Sequence, residues 1–227
     1  MTETRKIFLF PLIRHLSKLV TPVFIYLSVS ANQITTASLL TGLASALCVM
    51  KVDMIWDITA GLLLVVTYIL DNCDGEVARI KNQCSTFGMQ YDTFVDWVVH
   101  SALFAAMGYN AAQLFGNNLW LWFGYLAAAG GTFNYFLGFF LKSCDMDNLK
   151  TKDNCEIAIA ELDSRSPDGA SEWLVFIFRE LFRADFCFIF LVLAFFDTIW
   201  ILVPAGAIGS QIYWITQCFK GANEFHV

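Results

Sequence analysis

The stretch that decides the fold runs from Asp71 to Asp96 and reads DNCDGEVARIKNQCSTFGMQYDTFVD. Asp71 and Asp74 are three residues apart, and Asp92 and Asp96 are four residues apart. At these spacings, each pair of carboxyl groups lies on one face of a helix. A short turn around residues 81–86 separates the two helices, so we expect them to be antiparallel neighbours. The four carboxyl groups are therefore predicted to face each other at one depth.

Apolar segments surround this stretch on both sides. The chain has 227 residues, of which 57% are hydrophobic and only 15% are charged, and its mean hydropathy is +0.58. Soluble domains contain about 45–50% apolar and about 25% charged residues. A chain of this size cannot bury so large an apolar fraction in a soluble core, so lipid is the expected solvent for much of it. The net charge of -6 excludes a basic surface for nucleic acid, which is not expected as a partner.

Six membrane-spanning helices are predicted, because the hydrocarbon core of a bilayer requires about 20 apolar residues per helix. They cover residues 34–50, 54–79, 87–115, 119–141, 184–196 and 198–217. The fifth is short, so its first turns are expected among the lipid headgroups. Asp197 and Pro204 exclude one continuous span over the last two segments. The predicted fold is an all-α integral membrane protein with a single domain over residues 1–227.

Residues 1–22 are predicted to form an N-terminal amphipathic helix that lies on the membrane surface. Its apolar face carries Leu12, Leu16, Leu19 and Val20. Its opposite, basic face carries Arg14, His15 and Lys18. Thr21 and Pro22 are expected to end this helix, and an ordinary surface helix is the alternative. The first residues lack an apolar run with a cleavage site, so no cleavable signal peptide is expected.

The positions of the basic residues predict the orientation in the membrane. With the N-terminus in the cytoplasm, Lys51 is the one residue among 14 Lys and Arg that falls outside. This multi-pass topology places the four aspartates at the cytoplasmic side. Residues 143–172 are polar and are predicted to form a cytoplasmic loop.

The four carboxylates are the candidate metal ligands. The seven cysteines form neither a CxxC pair nor a set with histidine, so neither a zinc site nor a disulfide framework is predicted. Four converging carboxylates near the membrane repel one another, and burying one unpaired costs several kcal/mol in order of magnitude. Hard oxygen ligands select Mg²⁺, Mn²⁺ or Ca²⁺, and Mg²⁺ often joins carboxylates to substrate phosphates. The alternative is that the aspartates are solvated or pair with Arg79 and Lys81.

The same residues resemble a known family. Residues 71–96 match D-x2-D-G-x2-A-R-x8-G-x3-D-x3-D at every fixed position, and this pattern is the signature of the CDP-alcohol phosphatidyltransferases. The segment SANQIT at residues 30–35 also resembles the PN-x-x-T segment that precedes the first helix of the family. Ala31 here replaces the usual proline.

The resemblance implies a reaction and a set of site residues. An alcohol hydroxyl would attack the β-phosphorus of a CDP-linked lipid donor such as CDP-diacylglycerol, and CMP would leave. Two Mg²⁺ or Mn²⁺ ions would be held by Asp71, Asp74 and Asp92, with Asp96 contributing. Asp96 would also be the catalytic general base.

The resemblance further implies a nucleotide site and a partner. The nucleotide-binding residues would be Asp71, Asp74, Gly75, Ala78, Arg79 and Gly88. The three small residues would allow the cytidine and its phosphates to approach the backbone, and Arg79 would either contact the nucleotide or orient the aspartates. Related enzymes are commonly dimers, so a homodimer is expected. The small residues Gly124, Ala127, Ala128 and Gly131 suit either packing within the bundle or a dimer contact.

The acceptor alcohol is less determined. The residues around the motif look most similar to the branch of the family that uses inositol phosphates. Arg179 and Arg183 lie four residues apart before the fifth helix, on the predicted catalytic side. They would either hold an acceptor phosphate or simply follow the preference for basic residues in the cytoplasm. His100 follows Asp96 by four residues and either packs in the bundle or tunes that carboxylate.

Two other functional classes share features with this sequence. Membrane prenyltransferases also use Asp-rich helix motifs with Mg²⁺, but those motifs lie far apart in sequence and lack the DG-x2-AR pattern. Cation transporters place carboxylates within the membrane, but their sites favour the midplane at broken helices. The clustering of four aspartates at one membrane face favours the transferase.

Overall fold

The computed structural model describes residues 12–145 and 185–224. These residues form seven α-helices and one short 3-10 helix at Ile199–Ile201, with no β-strand among them. The helices are α1 (Ile13–Tyr26), α2 (Ala31–Val49), α3 (Met54–Ile80), α4 (Thr86–Phe115), α5 (Leu119–Asp145), α6 (Phe186–Phe195) and α7 (Leu202–Glu224). The all-α prediction is confirmed for this part of the chain.

The turn between α3 and α4 is built from local capping interactions. Asn82 has φ 55°, and this left-handed conformation, which asparagine tolerates better than most residues, ends α3. Ser85 begins α4, because its Oγ accepts a hydrogen bond from the Gly88 amide at 3.0 Å. The connection is too short to reach the other end of either helix. It therefore makes α3 and α4 antiparallel, as the spacing predicted.

The helices pack in an order that leaves the two acidic helix ends facing each other. The helix α2 packs against both α3 and α4, while the backbones of α3 and α4 have few close approaches to one another. The helix α5 packs on α4, and α7 packs on α5. The helices α1 and α6 both pack against α3. The carboxyl groups on α3 and α4 therefore meet across a gap that α2 closes on one side.

Two features join α4 to α5. At one level Gly108 and Gly124 are in direct backbone contact, since a Cβ built on either glycine would lie 2.7 Å from the Cα of the other. Nearer the acidic end, the Trp97 indole donates a hydrogen bond to Thr132 Oγ1 at 2.9 Å and its ring stacks on Tyr135 at 4.9 Å. The contact at Gly124 explains part of the small-residue patch as packing within the bundle.

The main apolar core lies in the half of the bundle away from the aspartates. Its fully buried side chains include Leu64, Leu103, Met107, Phe190 and Val203. Large apolar side chains also cover the outside of the bundle. Strongly exposed examples are Leu19, Ile55, Phe87, Trp122 and Phe196, each at least 66% exposed. An exterior of this composition suits lipid better than water.

One helix in the described part of the chain, α3, is long and apolar enough to cross a membrane by length and composition. It has 27 residues and a mean hydropathy of 1.7 in its best 18-residue window. Each of the six segments predicted to span the membrane does contain a helix. The ten residues of α6 rise only about 15 Å. The chain breaks after α6 at Asp197, which has φ 55°, so the last two segments are separate as predicted.

The N-terminal helix differs from its prediction. It does not end at Thr21 and Pro22 but continues to Tyr26. The face that packs against the bundle carries Ile13, Ser17 and Thr21, while Leu19 of the predicted apolar face is 75% exposed, as a lipid-facing side chain would be. Hydrogen bonds and packing against α3 stabilise this helix beyond the proline, and these contacts are not visible in the helical periodicity.

Other predictions fall partly outside the described residues. The helix α5 extends to Asp145, past the predicted start of the loop at residue 143. The remainder of that loop to residue 172 lies outside the described residues, as do residues 1–11 and both Arg179 and Arg183.

Candidate metal centre

Three carboxyl groups from two helices converge at the acidic end of the bundle. Asp71 and Asp74 come from the last turns of α3, and Asp92 comes from the second turn of α4. One oxygen from each carboxyl lies within 4.8 Å of the others. Asp74 is 5% exposed, whereas Asp71 and Asp92 are half-buried. The geometry therefore brings together three of the four carboxyl groups that the spacing predicted to converge.

Asp96 lies at the edge of this group. It is exposed, and it is close enough to act electrostatically on both Asp71 and Asp74. Three charged groups near Asp71 are Asp74, Asp92 and Asp96. All three are acidic, so their combined field around Asp71 is strongly negative.

This donor set fits a divalent ion. One carboxyl oxygen of Asp71 and one of Asp92 lie within 4.8 Å of each other, and two carboxylates at that separation need a cation or a proton between them. Carboxylate oxygens are the ligands that Mg²⁺ and Mn²⁺ prefer. Asp71, Asp74 and Asp92 are thus the residues that would hold the first ion.

Thr35 on α2 fixes the most buried of these carboxylates. Its Oγ1 donates a hydrogen bond to Asp74 Oδ2 and is also 3.1 Å from the Ala31 carbonyl. Thr35 itself is 3% exposed. A hydroxyl that donates to a buried carboxylate both orients it and compensates part of its lost hydration. The helix α2 therefore supplies a positioning group to a centre whose ligands lie on α3 and α4.

The small residues of the motif make room for polar side chains at the rim. At Gly75, a Cβ would lie 3.3 Å from Arg79 Nη1, so the exposed guanidinium lies along the helix face that carries Asp71. At Gly88, a Cβ would lie 3.1 Å from Ser85 Oγ and 3.3 Å from Asn32 Oδ1. The rim thus carries a cation and polar oxygens beside the carboxylates.

Lys81 and Glu76 connect this end of the bundle to α1. Lys81 Nζ donates to the carbonyls of Phe24 and Val29 at 3.3 and 2.7 Å. Glu76 accepts hydrogen bonds from Ser17 at 2.8 Å and from Thr21 at 2.6 Å. Lys81 therefore binds backbone oxygens at the end of α1, which argues against the alternative that it neutralises the aspartates.

A comparison with known protein families identifies the family of this chain. The family described as CDP-alcohol phosphatidyltransferase matches residues 28–144, just over half of the chain and all four aspartates. The chain belongs to the CDP-alcohol phosphatidyltransferase family. A search of curated proteins finds no match. The family transfers a phosphate group from a CDP-alcohol to an alcohol and is associated with membranes.

The membership of this phosphatidyltransferase family confirms the resemblance seen in the motif. The roles of individual residues at the nucleotide and in catalysis remain predictions. Arg179 and Arg183, the candidate ligands of an acceptor phosphate, lie outside the described residues, so their position relative to the carboxylates is not described.

Three supporting residues of the phosphatidyltransferase site were not singled out from the sequence. Glu76 lies inside the motif, but as a variable position it carried no signal. Asp185 is 1% exposed and accepts hydrogen bonds from the Leu12 and Ile13 amides at 2.9 and 3.0 Å, so it caps α1 from a distant part of the chain. Thr35 belongs to the segment that resembles PN-x-x-T and is a start signal of the first predicted span, and neither feature indicates its bond to Asp74.

Replacing Thr35 by valine should weaken metal binding, because it removes the hydroxyl that orients Asp74 while keeping the shape of the side chain. A hydrogen bond to a charged group contributes about 1.5–3 kcal/mol, so we expect Mn²⁺ affinity to fall about tenfold or more. Isothermal titration of the purified protein with Mn²⁺ measures this change. Thr41→Val is the matched control, since Thr41 also bonds from α2 to α3, to Thr67 at 2.9 Å. Equal Mn²⁺ affinities of Thr35→Val and the wild type would contradict the role of Thr35.

Proposed function

We propose that this protein is a multi-pass membrane enzyme of phospholipid synthesis that transfers a substituted phosphate group from a CDP-linked lipid, of the CDP-diacylglycerol type, to an alcohol. The observation that carries the proposal is the convergence of carboxyls from α3 and α4 within the family motif. A pyrophosphate donor suits this site, because its oxygens complete the coordination of divalent ions that carboxylates hold.

The chemistry at the carboxylates follows from their charge and burial. Two Mg²⁺ or Mn²⁺ ions bound there would stabilise negative charge on the attacking and leaving oxygens. Asp71, Asp74 and Asp92 hold their positions through the helix ends and, for Asp74, through Thr35. Phosphoryl transfer depends mainly on such positioning and on electrostatics, which a rigid helical site provides.

Asp96 is the proposed general base. It is exposed, whereas Asp74 is buried and Asp71 and Asp92 are half-buried, so it is the carboxylate most accessible to an acceptor hydroxyl. It would take the hydroxyl proton as the acceptor oxygen forms a bond to the β-phosphorus. The bond between that phosphorus and the oxygen of CMP breaks, and CMP leaves with the electron pair.

The rim residues are proposed to bind the nucleotide. The guanidinium of Arg79 carries the positive charge that a phosphate requires and lies beside Gly75. The small residues Gly75, Ala78 and Gly88 would let the cytidine and its phosphates approach the backbone beside the polar side chains at the rim. Arg79 therefore suits a contact with the nucleotide better than a purely structural role.

A multi-pass topology with a cytoplasmic site is proposed from three features. Helices occur at all six apolar segments, large apolar side chains cover the exterior of the described residues, and the predicted topology puts Lys51 alone among the Lys and Arg residues on the side opposite the aspartates. In this orientation α1 lies at the cytoplasmic interface, where its exposed apolar side chains would enter the lipid. A site at this depth meets both the acyl chains of the donor and a water-soluble acceptor. We also propose that the protein is a homodimer, because related enzymes of the family are commonly dimers.

Each of the substitutions Asp71→Asn, Asp74→Asn, Asp92→Asn and Asp96→Asn should abolish turnover, because each removes one of the negative charges that hold the ions or accept the proton. The assay is CMP release from CDP-diacylglycerol with Mg²⁺ and a panel of alcohols, including inositol phosphate, glycerol phosphate and serine. The lipid product is identified by mass. Chelation of the divalent ions should stop the wild-type reaction in the same way.

The control for these variants is Asp57→Asn. Asp57 is also a buried aspartate on α3, but it lies at the opposite end of the helix and accepts a hydrogen bond from Asn110 at 3.2 Å. We expect this variant to keep its turnover once folded. Wild-type protein that releases no CMP from any pair of substrates, in the presence of Mg²⁺ or Mn²⁺, would overturn the proposed function.

An inositol phosphate is proposed as the acceptor, with Arg179 and Arg183 binding its phosphate. Charge reversal by Arg183→Glu should then raise the acceptor KM by about tenfold or more, in line with the loss of a charge-assisted hydrogen bond, with little change in the KM of the CDP donor. Arg14→Glu, an exposed charge reversal on α1, serves as the control. An unchanged acceptor KM in Arg183→Glu would exclude this role.

A further inference from the structure

A hydrogen-bonded pair of side chains lies directly beneath the carboxylates. Tyr68 precedes Asp71 by three residues on α3, and His100 follows Asp96 by four residues on α4. The Tyr68 hydroxyl and His100 Nε2 are 2.9 Å apart, and the two rings meet edge to face with centroids 6.0 Å apart. Tyr68 is 8% exposed. Each member of the pair is therefore about one helical turn from a carboxylate of the site.

The contacts of His100 fix the direction of these hydrogen bonds. Its Nδ1 is 2.7 Å from the backbone oxygen of Asp96. A carbonyl oxygen only accepts hydrogen bonds, so Nδ1 must carry the proton. In the neutral ring, Nε2 is then the acceptor and the Tyr68 hydroxyl is the donor. One chain of hydrogen bonds thus leads from Tyr68 on α3 through His100 to the peptide carbonyl of Asp96.

This connection matters because α3 and α4 have few close backbone approaches to one another. The distance between α3 and α4 is therefore set by side chains wherever α2 does not lie between the two helices. Among the side-chain hydrogen bonds that join the two helices are those of Tyr68 with His100 near the carboxylates and of Asp57 with Asn110 at the far end. The first of these bonds lies next to the residues whose separation determines the reaction geometry.

We propose that Tyr68 and His100 are positioning residues, which hold Asp96 at a fixed distance from Asp71 and Asp74 by linking α4 to α3. This inference rests on the function proposed above. The pair touches neither substrate nor ion in the proposed reaction. It acts through Asp96, because a shift of about 1 Å in a catalytic group can lower the rate by up to about 100-fold.

The test compares variants that break or keep the link. Tyr68→Phe removes only the hydroxyl. His100→Asn keeps a donor near the position of Nδ1 but cannot reach Tyr68, whereas His100→Gln places an amide near the position of Nε2 and can restore the bond between the helices. Asn110→Ala breaks the link at the far end and is the control for a purely structural effect. The readouts are kcat, donor KM, Mn²⁺ affinity by titration and thermal stability.

We expect Tyr68→Phe and His100→Asn each to lower kcat about tenfold with the donor KM changed less than about twofold, an effect of the size expected for misplacing a catalytic group. They should also weaken Mn²⁺ binding, and the double variant should be no worse than either single one. His100→Gln should recover most of kcat. Asn110→Ala should lower thermal stability and leave kcat unchanged.

Two results would overturn the inference. Tyr68→Phe with wild-type kcat and Mn²⁺ affinity would show that the link does not position Asp96. Variants that lose only thermal stability, as expected for Asn110→Ala, would show that the pair has a structural role alone. A wild-type protein that binds no Mn²⁺ and releases no CMP would instead contradict the proposed function itself, and the inference with it.

Discussion

Repulsion among carboxylates at the meeting point of two helix ends is the constraint on which the rest of the structure depends. One turn of chain forces α3 and α4 to be antiparallel, so Asp71 and Asp74 must face Asp92 across a short distance. Such an arrangement is tolerable only if a cation or a proton is held between the groups. The negative charge that makes the carboxylates repel one another also makes the site selective for divalent ions and for the phosphates that accompany them.

The remaining helices serve this arrangement. The helix α2 packs against both acidic helices and presents Thr35 to Asp74. The helix α1 is held against α3 through Glu76, and its first amides are capped by Asp185 from the far part of the chain. The larger apolar core lies away from the carboxylates, so the polar site and the main packing occupy different depths of the bundle. Precise placement of a few polar groups by a rigid scaffold is what a positioning-dependent reaction requires.

Much of this could be predicted from the sequence, because the strongest signals are local. Spacings of three and four residues place carboxylates on helix faces without any knowledge of the fold, and apolar length located a helix in every predicted segment.

The interactions that could not be predicted join residues distant in sequence. The hydrogen bonds of Glu76 with Thr21 and of Lys81 with the Phe24 carbonyl hold α1 against α3 where it continues past Pro22, and Asp185 caps its first amides. Amphipathic periodicity identified the exposed apolar side chains of α1, such as Leu19, but not the polar stripe that packs on α3. The helices themselves also do not determine how many of them cross the membrane. In the described part of the chain, α3 alone is long and apolar enough by composition to do so.

The central claim is that the carboxylates of α3 and α4 jointly bind divalent ions. The most direct measurement is an anomalous difference map from crystals of the protein soaked with Mn²⁺. The account predicts Mn²⁺ peaks between the two helices, with oxygens of Asp71, Asp74 and Asp92 at a coordination distance of about 2.1 Å. A well-ordered map with these carboxylates directed apart and no Mn²⁺ between them would contradict it.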